Sequence, residues 1–234
     1  AVKNISDENH YSVMRLKKEL PNRTYLGSMF TDLNHLGEDG YNNRSYAVDC
    51  QLGIGDLSQI KGFAGITETP GLDMDKAYAY MIQVGKNTRQ VSSAFSYSEV
   101  GSNFNPEMGY LKRENYRKWS GRIFTRFRPE DLFGLLEFRP HVNYDGYWKL
   151  DGFQQSGRWH IDNHWEFRSG FEIHTGTNLV KEGVIEVFEI SDSVFVSAGI
   201  YDDQEIQIMI MTFIRITSGL IRLEMFICKP HQTV

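Results

Sequence analysis

The chain has 234 residues, a formal net charge of −5 and an aromatic content of 13%. This acidic balance argues against a nucleic-acid-binding protein, which normally carries a basic face. The two cysteines, Cys50 and Cys228, are too few for a disulfide scaffold or a cysteine-based zinc cluster. The sequence also lacks the roughly 18 consecutive apolar residues of a transmembrane helix, although a transmembrane β-barrel needs only alternate apolar residues.

Apolar and polar residues alternate along most of the chain. This period of two predicts β-strands, because successive side chains of a strand point to opposite faces. In chain order, the predicted strands are 11–16, 24–31, 45–54, 57–67, 77–84, 91–98, 118–127, 136–144, 157–168, 171–180, 205–216 and 220–227. Turn signals occur at Pro21-Asn22, Glu38-Asp39-Gly40, Pro70-Gly71, Asn105-Pro106, Asp145-Gly146 and Asp202-Asp203. The sequence therefore predicts an all-β fold, an antiparallel up-and-down meander, in a single domain over residues 1–234.

The length of the predicted strands favours a membrane-spanning barrel. Several run for 10 residues or more, which is about the length that a tilted strand needs to cross a bilayer. Strands of globular proteins average roughly 5 or 6 residues. We therefore expect a partial transmembrane β-barrel, and a soluble β-sandwich is the alternative that periodicity alone leaves open.

The clearest alternation lies at residues 157–168, where an apolar set and a polar set of side chains are strictly interleaved. We expect the apolar set to face lipid: Trp159, Ile161, Trp165 and Phe167. We expect the polar set to face the lumen of the barrel: Arg158, His160, Asp162, His164, Glu166 and Arg168. With Glu137, Arg139 and His141 of the preceding predicted strand, this polar set forms the candidate binding residues.

Three potential metal ligands, His160, Asp162 and His164, share one face of this strand. Neighbours on a strand face lie about 6.5–7 Å apart at the backbone, so two of these side chains can share a metal. A third ligand would have to come from a neighbouring strand, with His141 and His174 as candidates. We expect instead a polar wall with satisfied hydrogen bonds, with no metal and no cofactor.

Paired carboxylates would suit glycoside hydrolysis, and Asp162 and Glu166 share the same face. Their backbones lie about 13 Å apart, beyond the roughly 5–9.5 Å between the carboxyl groups of such pairs, unless Glu137 or Glu172 of another strand partners one of them. The sequence holds no nucleophile elbow, phosphate loop or dinucleotide fingerprint. We therefore expect no catalytic residues.

One long motif resembles a known family. The stretch from Tyr97 to Tyr110 contains Phe104-Asn105-Pro106-Glu107-Met108-Gly109-Tyr110, and the basic residues Lys112, Arg113 and Arg117 follow it. Matching segments are Leu20-Pro21-Asn22-Arg23, Thr67-Glu68-Thr69-Pro70-Gly71-Leu72, Arg128-Pro129-Glu130-Asp131-Leu132 and Asp162-Asn163-His164-Trp165-Glu166. Together they resemble a bacterial family whose full-length members carry an N-terminal family-nine-type carbohydrate-binding domain and an outer-membrane β-barrel. The similarity runs from about Tyr11 to about Phe213.

The resemblance implies a location in the bacterial outer membrane and a non-enzymatic role in glycan or solute binding or transport. The expected partners are outer-membrane lipid and, through the carbohydrate-binding domain, carbohydrate. A polysaccharide-acting hydrolase module and a soluble β-sandwich binding module are the alternatives. For the motif residues Phe104, Asn105, Pro106, Glu107 and Gly109 we expect a structural role, since proline ends strand pairing.

The sequence departs from the family at both ends. It contains no carbohydrate-binding domain, and the family's barrels continue past the point where it stops. The tail Cys228-Lys229-Pro230-His231-Gln232-Thr233-Val234 lacks the terminal aromatic residue of a complete outer-membrane barrel. We therefore expect an incomplete barrel, whose open strand edges would carry unpaired backbone groups.

Overall fold

The structure is a computed structural model that describes residues 9–36, 40–130, 132–216 and 219–228, with side chains as far as Ile210. Glu38 and Asp39 of one predicted turn lie outside the described residues, as do Asp131 and the tail from Lys229 to Val234. The side chains of the predicted strand 220–227 lie outside them too. None of the described residues forms a helix with the length and hydropathy that crossing a membrane requires.

The described residues form an antiparallel β-meander. The strands are β1 (Asn9–Leu20), β2 (Thr24–His35), β3 (Asn42–Ile54), β4 (Ser58–Glu68), β5 (Tyr78–Asn87), β6 (Val91–Val100), β7 (Tyr116–Thr125), β8 (Leu135–Lys149), β9 (Gln154–Phe167), β10 (Phe171–Val184), β11 (Phe188–Ser191), β12 (Val194–Val196), β13 (Gly199–Ile216) and β14 (Gly219–Cys228). The main sheet takes β1 to β10 in chain order and then β13 and β14, while β11 and β12 pair separately. The predicted all-β antiparallel meander is therefore confirmed.

The chain divides into two compact units. The first comprises the residues up to Gly85 together with Ser96–Lys118, and the second comprises Lys86–Phe95 and the residues from Trp119 onward. Each unit has its own pairing register and its own buried side chains, and each is described by itself below.

In the first unit, strand register separates an apolar face from a polar one. Val48 lies across from Ser28 and Ala64, and Leu26 lies across from Cys50, so these residues share one face. On that face Val48 and Leu26 are 59% and 53% exposed. The opposite face holds an ion pair between Arg15 and Asp49, with 2.5 Å between Nη1 and Oδ1.

The first unit buries a small core beside the segment that follows β6. Ala79, Val100 and Phe104 form this core, and Phe63, Leu111 and Tyr116 pack against it. Phe104 lies within the motif stretch Tyr97–Tyr110, and it is only 7% exposed. Burial of its ring anchors the motif segment on the sheet, since a fully buried Phe side chain stabilises a fold by about 1.5–3 kcal/mol.

In the second unit, the register of β8, β9 and β10 separates the same two kinds of face. The apolar face carries Trp159 across from Tyr144 and Leu179, and Ile161 across from Val142 and Thr177. The polar face carries three rows, each with one residue from β8, β9 and β10: Arg139–His164–His174, His141–Asp162–Gly176 and Asn143–His160–Asn178. At the start of β8 a bulge leaves Leu136 unpaired and places Glu137 across from Glu166.

Two predicted turns are wrong. Asp145 and Gly146 lie inside β8, and Asp202 and Asp203 lie inside β13. Asp145 is across from Arg158, and Asp202 is across from Lys181, whose Nζ lies 2.6 Å from its Oδ1. Aspartate favours turns because its side chain bonds the local backbone. Here the neighbouring strands offer other partners, because Ser120 Oγ donates to Asp145 Oδ1 at 2.6 Å and Lys181 forms the ion pair with Asp202.

Arg168 does not belong to the polar face of β9. The strand ends at Phe167, and Arg168 begins the turn to β10. Its Nη2 donates to the Glu130 carbonyl oxygen at 3.2 Å. The alternation therefore stops one residue earlier than predicted, because Arg168 has a backbone partner in the preceding loop.

Candidate functional site

Three histidines gather around one carboxylate on the polar face of the second unit, and a fourth stacks on one of them. We name His141, His160, Asp162, His164 and His174 the histidine cluster. Three Nε2 atoms surround Asp162 Oδ2, at 3.1 Å for His164, 3.7 Å for His160 and 3.8 Å for His141. The ligand atoms of His141, Asp162 and His164 all lie within 4.8 Å of one another. His141 on β8 is thus the ligand from a neighbouring strand that a metal site on β9 would need.

Strand geometry explains how these side chains meet. His160, Asp162 and His164 alternate along β9, and His141 is directly across from Asp162 on β8. His174 on β10 is across from His164, and their rings stack with centroids 3.8 Å apart. Gly176 is across from Asp162, where a Cβ atom would stand 3.3 Å from Asp162 Cγ. The missing side chain leaves space for the carboxylate.

A buried amide supports the cluster from β10. Asn178 is 1% exposed, and its Nδ2 donates to Glu205 Oε2 at 2.7 Å. Since a carboxylate only accepts hydrogen bonds, this contact orients Asn178 with Oδ1 towards β9. His160 Nδ1 lies 2.7 Å from that Oδ1 and must be the donor. The ring of His160 is therefore fixed by a second layer of contacts.

Glu137 is the centre of an arginine cluster, which we define as Arg126, Arg128, Glu137, Arg139 and Glu166. The carboxylate of Glu137 accepts from Arg126 Nε at 2.9 Å and from Arg128 Nε at 2.6 Å. Arg139 lies 3.6 Å from Glu137 and 3.5 Å from Glu166. Glu137 is only 4% exposed, so its charge is stabilised mainly by these guanidinium groups.

A pocket of about 690 Å³ opens beside the arginine cluster. Its lining combines cations with aromatic and aliphatic surface, and it comprises Arg89, Gln90, Arg126, Phe127, Arg128, Pro129, Leu132, Leu135, Phe138 and Trp165. The rings of Phe138 and Trp165 lie 4.4 Å apart. No carboxylate of the described residues belongs to this lining, so the surface suits an anionic ligand with flat apolar faces.

In the first unit, the family motif is held by a fully buried asparagine. Asn43 Nδ2 donates to Thr69 Oγ1 at 2.7 Å and to the Asn105 carbonyl at 2.8 Å. Its Oδ1 accepts from the Glu107 backbone N–H at 3.3 Å. Asn43 is 0% exposed, so water cannot replace its hydrogen bonds. These bonds therefore strongly determine the position of the motif.

The carboxylate of Glu107 has a phenol partner. Tyr41 donates its hydroxyl to Glu107 Oε1, and Asn105 Nδ2 donates to the same oxygen at 3.0 Å. Burial and the hydrogen bond to Glu107 raise the pKa of Tyr41 to about 12. Within this motif Gly101 is the glycine that needs its small size, because a Cβ there would stand 2.0 Å from the Lys76 carbonyl oxygen. Gly109 has no such close approach, at 3.4 Å from the Pro106 carbonyl.

The structure thus brings together most of the predicted binding residues. Glu137, Arg139 and Glu166 meet in the arginine cluster, and His141, His160, Asp162 and His164 meet in the histidine cluster. Arg158 reaches the second layer, where its Nε donates to Asn178 Oδ1 at 3.3 Å. The prediction missed Arg126, Arg128, Asn178 and Gly176. Of these four, only Arg126 could have been found from the sequence, because it lies on the polar side of the alternating segment 118–127.

Glu137 and Asp162, two candidate carboxylates for glycoside hydrolysis, have hydrogen-bond partners in the structure. Both oxygens of Glu137 accept from arginines, and Asp162 accepts from the Asn163 backbone N–H and contacts His164. A general acid needs a carboxyl group that holds a proton. Adjacent guanidinium groups favour the charged form instead, so Glu137 is suited to anchoring rather than to proton transfer.

Comparisons of the chain with family models, with curated proteins and with solved structures gave no match. The resemblance to the outer-membrane barrel family therefore rests on the sequence motifs.

Proposed function

We propose that this chain is a membrane-spanning β-barrel segment of a carbohydrate-associated protein of the bacterial outer membrane, with a binding or transport role and no enzymatic one. Outer-membrane lipid is its first partner. Glycans or solutes are the second class of partner, because the resembling family joins its barrel to a carbohydrate-binding domain.

This proposal rests on an apolar sheet face that is exposed in each unit. In the second unit, Trp159, Ile161 and Ile206 share one face and are 47%, 45% and 44% exposed. In the first unit, Leu16 and Val48 share a face and are 60% and 59% exposed. Soluble monomers rarely expose contiguous apolar patches beyond a few hundred Å².

The opposite face has the reverse character. Asn43, Thr67 and Asn178 are the largest fully buried side chains among the described residues, and all three are polar. Glu137 is almost as deeply buried. In each unit, one exposed apolar face and one hydrogen-bonded polar face form the arrangement that lipid favours, whereas a soluble sandwich would bury its apolar faces against each other.

Strand length supports the same proposal. The strands β1 to β10 have between 10 and 15 residues each. A tilted strand needs about 9–11 residues to cross the hydrocarbon core of a bilayer. Each of these strands is therefore long enough, and the polar turns between them would lie in the interfacial regions.

Site-specific labelling tests the proposal. Cys50 and Cys228 are replaced by alanine, and a single cysteine is introduced as Ile161→Cys on the apolar face or Asn143→Cys on the polar face. Each variant is labelled with an environment-sensitive fluorophore and folded into vesicles that contain brominated lipid. We expect quenching at position 161 and little at position 143. Folding without detergent, with no quenching at position 161, would support the soluble sandwich instead.

For the ligand, we place an anionic glycan or solute in the pocket beside the arginine cluster. Trp165 and Phe138 belong to the apolar face, but they lie near the end of β9 and the start of β8, where we expect the interfacial region of the bilayer rather than its hydrocarbon core. There they offer aromatic surface of the kind that packs against sugar rings, and Arg89, Arg126 and Arg128 offer donors for carboxylate groups. Arg126 and Arg128 also hold Glu137, so Arg89 is the residue whose removal disturbs the cluster least.

A further inference from the structure

We propose that the histidine cluster is a binding site for one divalent first-row transition-metal ion, with Zn²⁺ as the representative. His141, Asp162 and His164 are the first three ligands, and His160 is the fourth. This site uses only side chains of β8 and β9, and it does not depend on the proposed membrane function.

The distances fit a metal of this class. Ligand atoms bound at about 2.0–2.1 Å to a tetrahedral zinc ion stand about 3.3 Å from one another. The three Nε2 atoms lie 3.1, 3.7 and 3.8 Å from Asp162 Oδ2. Small rotations of the rings would therefore bring the ligands into coordination distance without a change in the backbone.

The hydrogen bonds of His141 and His160 also favour a cation beside Asp162. His141 Nδ1 lies 3.3 Å from the Arg139 carbonyl oxygen, which can only accept, so this nitrogen carries the proton in the neutral ring. His160 Nδ1 carries its proton for the same reason, because it donates to Asn178 Oδ1. Both rings then aim an Nε2 lone pair at the carboxylate of Asp162, which also has only lone pairs to offer.

The cluster contains no other described source of positive charge for Asp162. The ion pairs of Asp162 among the described residues are with histidines alone. The nearest arginine in the register, Arg139, is engaged by Glu137 and Glu166. Protonation of every ring would crowd cations together, since the ring centroids of His141 lie 5.4 Å from those of both His160 and His164. A single metal ion satisfies all these lone pairs at once.

The histidines also have the hydrogen-bond acceptors for their second ring nitrogens that are typical of metal sites. Ligating histidines usually donate their other ring N–H to a carbonyl or carboxylate, which fixes the ring and its tautomer. The Arg139 carbonyl does this for His141, and the buried Asn178 does it for His160. Side-chain exposure of 11% for His141 and 15% for Asp162 keeps the site largely dry. The proposed metal site departs in this respect from the polar wall without metal that the sequence predicts.

The test is zinc binding by the full chain, made without a polyhistidine tag, folded in detergent and freed of metal with a chelator. Titration calorimetry should find one zinc ion per chain, and Co²⁺ should give the intense visible bands of tetrahedral coordination. The double variant His141→Ala/His164→Ala should lose this binding. The matched double variant His10→Ala/His35→Ala, which removes two histidines elsewhere, should keep it.

A second variant separates a metal site from a merely polar wall. Asn178→Leu removes the acceptor of His160 without removing a ligand, and it should weaken zinc binding about 10–100-fold. Failure of the wild-type chain to bind stoichiometric zinc in the titration would overturn the proposal. So would equal binding by the two double histidine variants, or a weak octahedral spectrum of the wild-type chain with Co²⁺, a measurement that does not depend on the folding of any variant.

Discussion

Gly176 lies directly across from Asp162, and a Cβ at Gly176 would stand 3.3 Å from Asp162 Cγ. A glycine inside a strand is destabilising by roughly 0.5–1 kcal/mol relative to alanine. This one is therefore unfavourable for the strand itself, but its small size allows the carboxylate to lie between the histidines.

Gly176→Ala should separate strand stability from metal binding. The added methyl group should leave the free energy of unfolding unchanged or slightly improved, while it displaces Asp162 by a few tenths of an ångström and weakens zinc binding. Calorimetry and urea unfolding of the same samples measure both effects. Gly199→Ala is the control, because a Cβ at Gly199 meets nothing within 4 Å. Equal zinc affinity in the two variants would contradict the prediction.

Polar substitutions on the two faces of β9 should destabilise the protein by unequal amounts. Ile161→Arg places a cation on the apolar face and should destabilise the protein in bilayers by about 2–4 kcal/mol. His164→Ser on the polar face, compared in metal-free buffer, should cost about 1 kcal/mol or less. Reversible urea unfolding in lipid vesicles gives both values. Similar losses at the two positions would show that the faces are wrongly assigned.

The buried carboxylate of the arginine cluster should be a strong determinant of stability. Glu137→Gln leaves three guanidinium groups without their shared counter-charge, and removing one partner of a buried ion pair costs about 3–5 kcal/mol. We expect the lower end, because Arg126 and Arg128 keep side-chain exposures of 38% and 54%. The control Glu130→Gln makes the same change at an exposed residue and should cost less than about 0.5 kcal/mol. Chemical unfolding of both variants distinguishes them.

The motif segment should loosen when Asn43 is shortened. Asn43→Ala removes the partners of the Asn105 carbonyl and the Glu107 N–H, and a buried group left unpaired costs about 1–3 kcal/mol. Trypsin should then cleave faster at the exposed Lys112 and Arg113. Asn87→Ala, at an exposed strand end, should cleave at the wild-type rate. Unchanged cleavage in Asn43→Ala would mean that Phe104 alone anchors the segment.

The glycines of the motif should differ in their tolerance of alanine. Gly101→Ala would press a methyl group into the Lys76 carbonyl oxygen, 2.0 Å away, and should destabilise the first unit by about 1–3 kcal/mol. Gly109→Ala meets only ordinary contacts at 3.4 Å and beyond and should be well tolerated. Thermal unfolding monitored by circular dichroism compares the pair, and a larger loss at Gly109 would contradict the geometry.

Ligand binding in the arginine pocket should depend on Arg89. Arg89→Gln removes one cation from the lining without touching Glu137, and it should weaken binding of an acidic oligosaccharide such as oligogalacturonate. Binding of a neutral oligosaccharide of the same length should change little. The exposed Lys86→Gln is the control for general charge. Loss of affinity for both oligosaccharides, or for neither, would place the glycan elsewhere.

The sequence by itself determined the fold class and the two faces of the strands in which the alternation is clear, above all β9. Alternation is a local property, because successive side chains of an extended chain point to opposite sides whatever lies beside them. For that reason Trp159 and Ile161 could be separated from His160 and Asp162 before any partner strand was known. The ends of strands were less predictable, since Asp145 and Asp202 favour turns locally but have side-chain partners, Ser120 and Lys181, on neighbouring strands.

Only the tertiary structure decided which residues meet across strands. His141 is 21 positions from Asp162 in the sequence, and its place beside that carboxylate depends on the pairing register of β8 and β9. A shift of one residue would turn His141 to the opposite face, because strand side chains alternate. The same register places Gly176 beneath Asp162 and Asn178 beside His160. Local patterns do not encode register, so the sequence could name potential metal ligands while the fold alone assembled them around one oxygen.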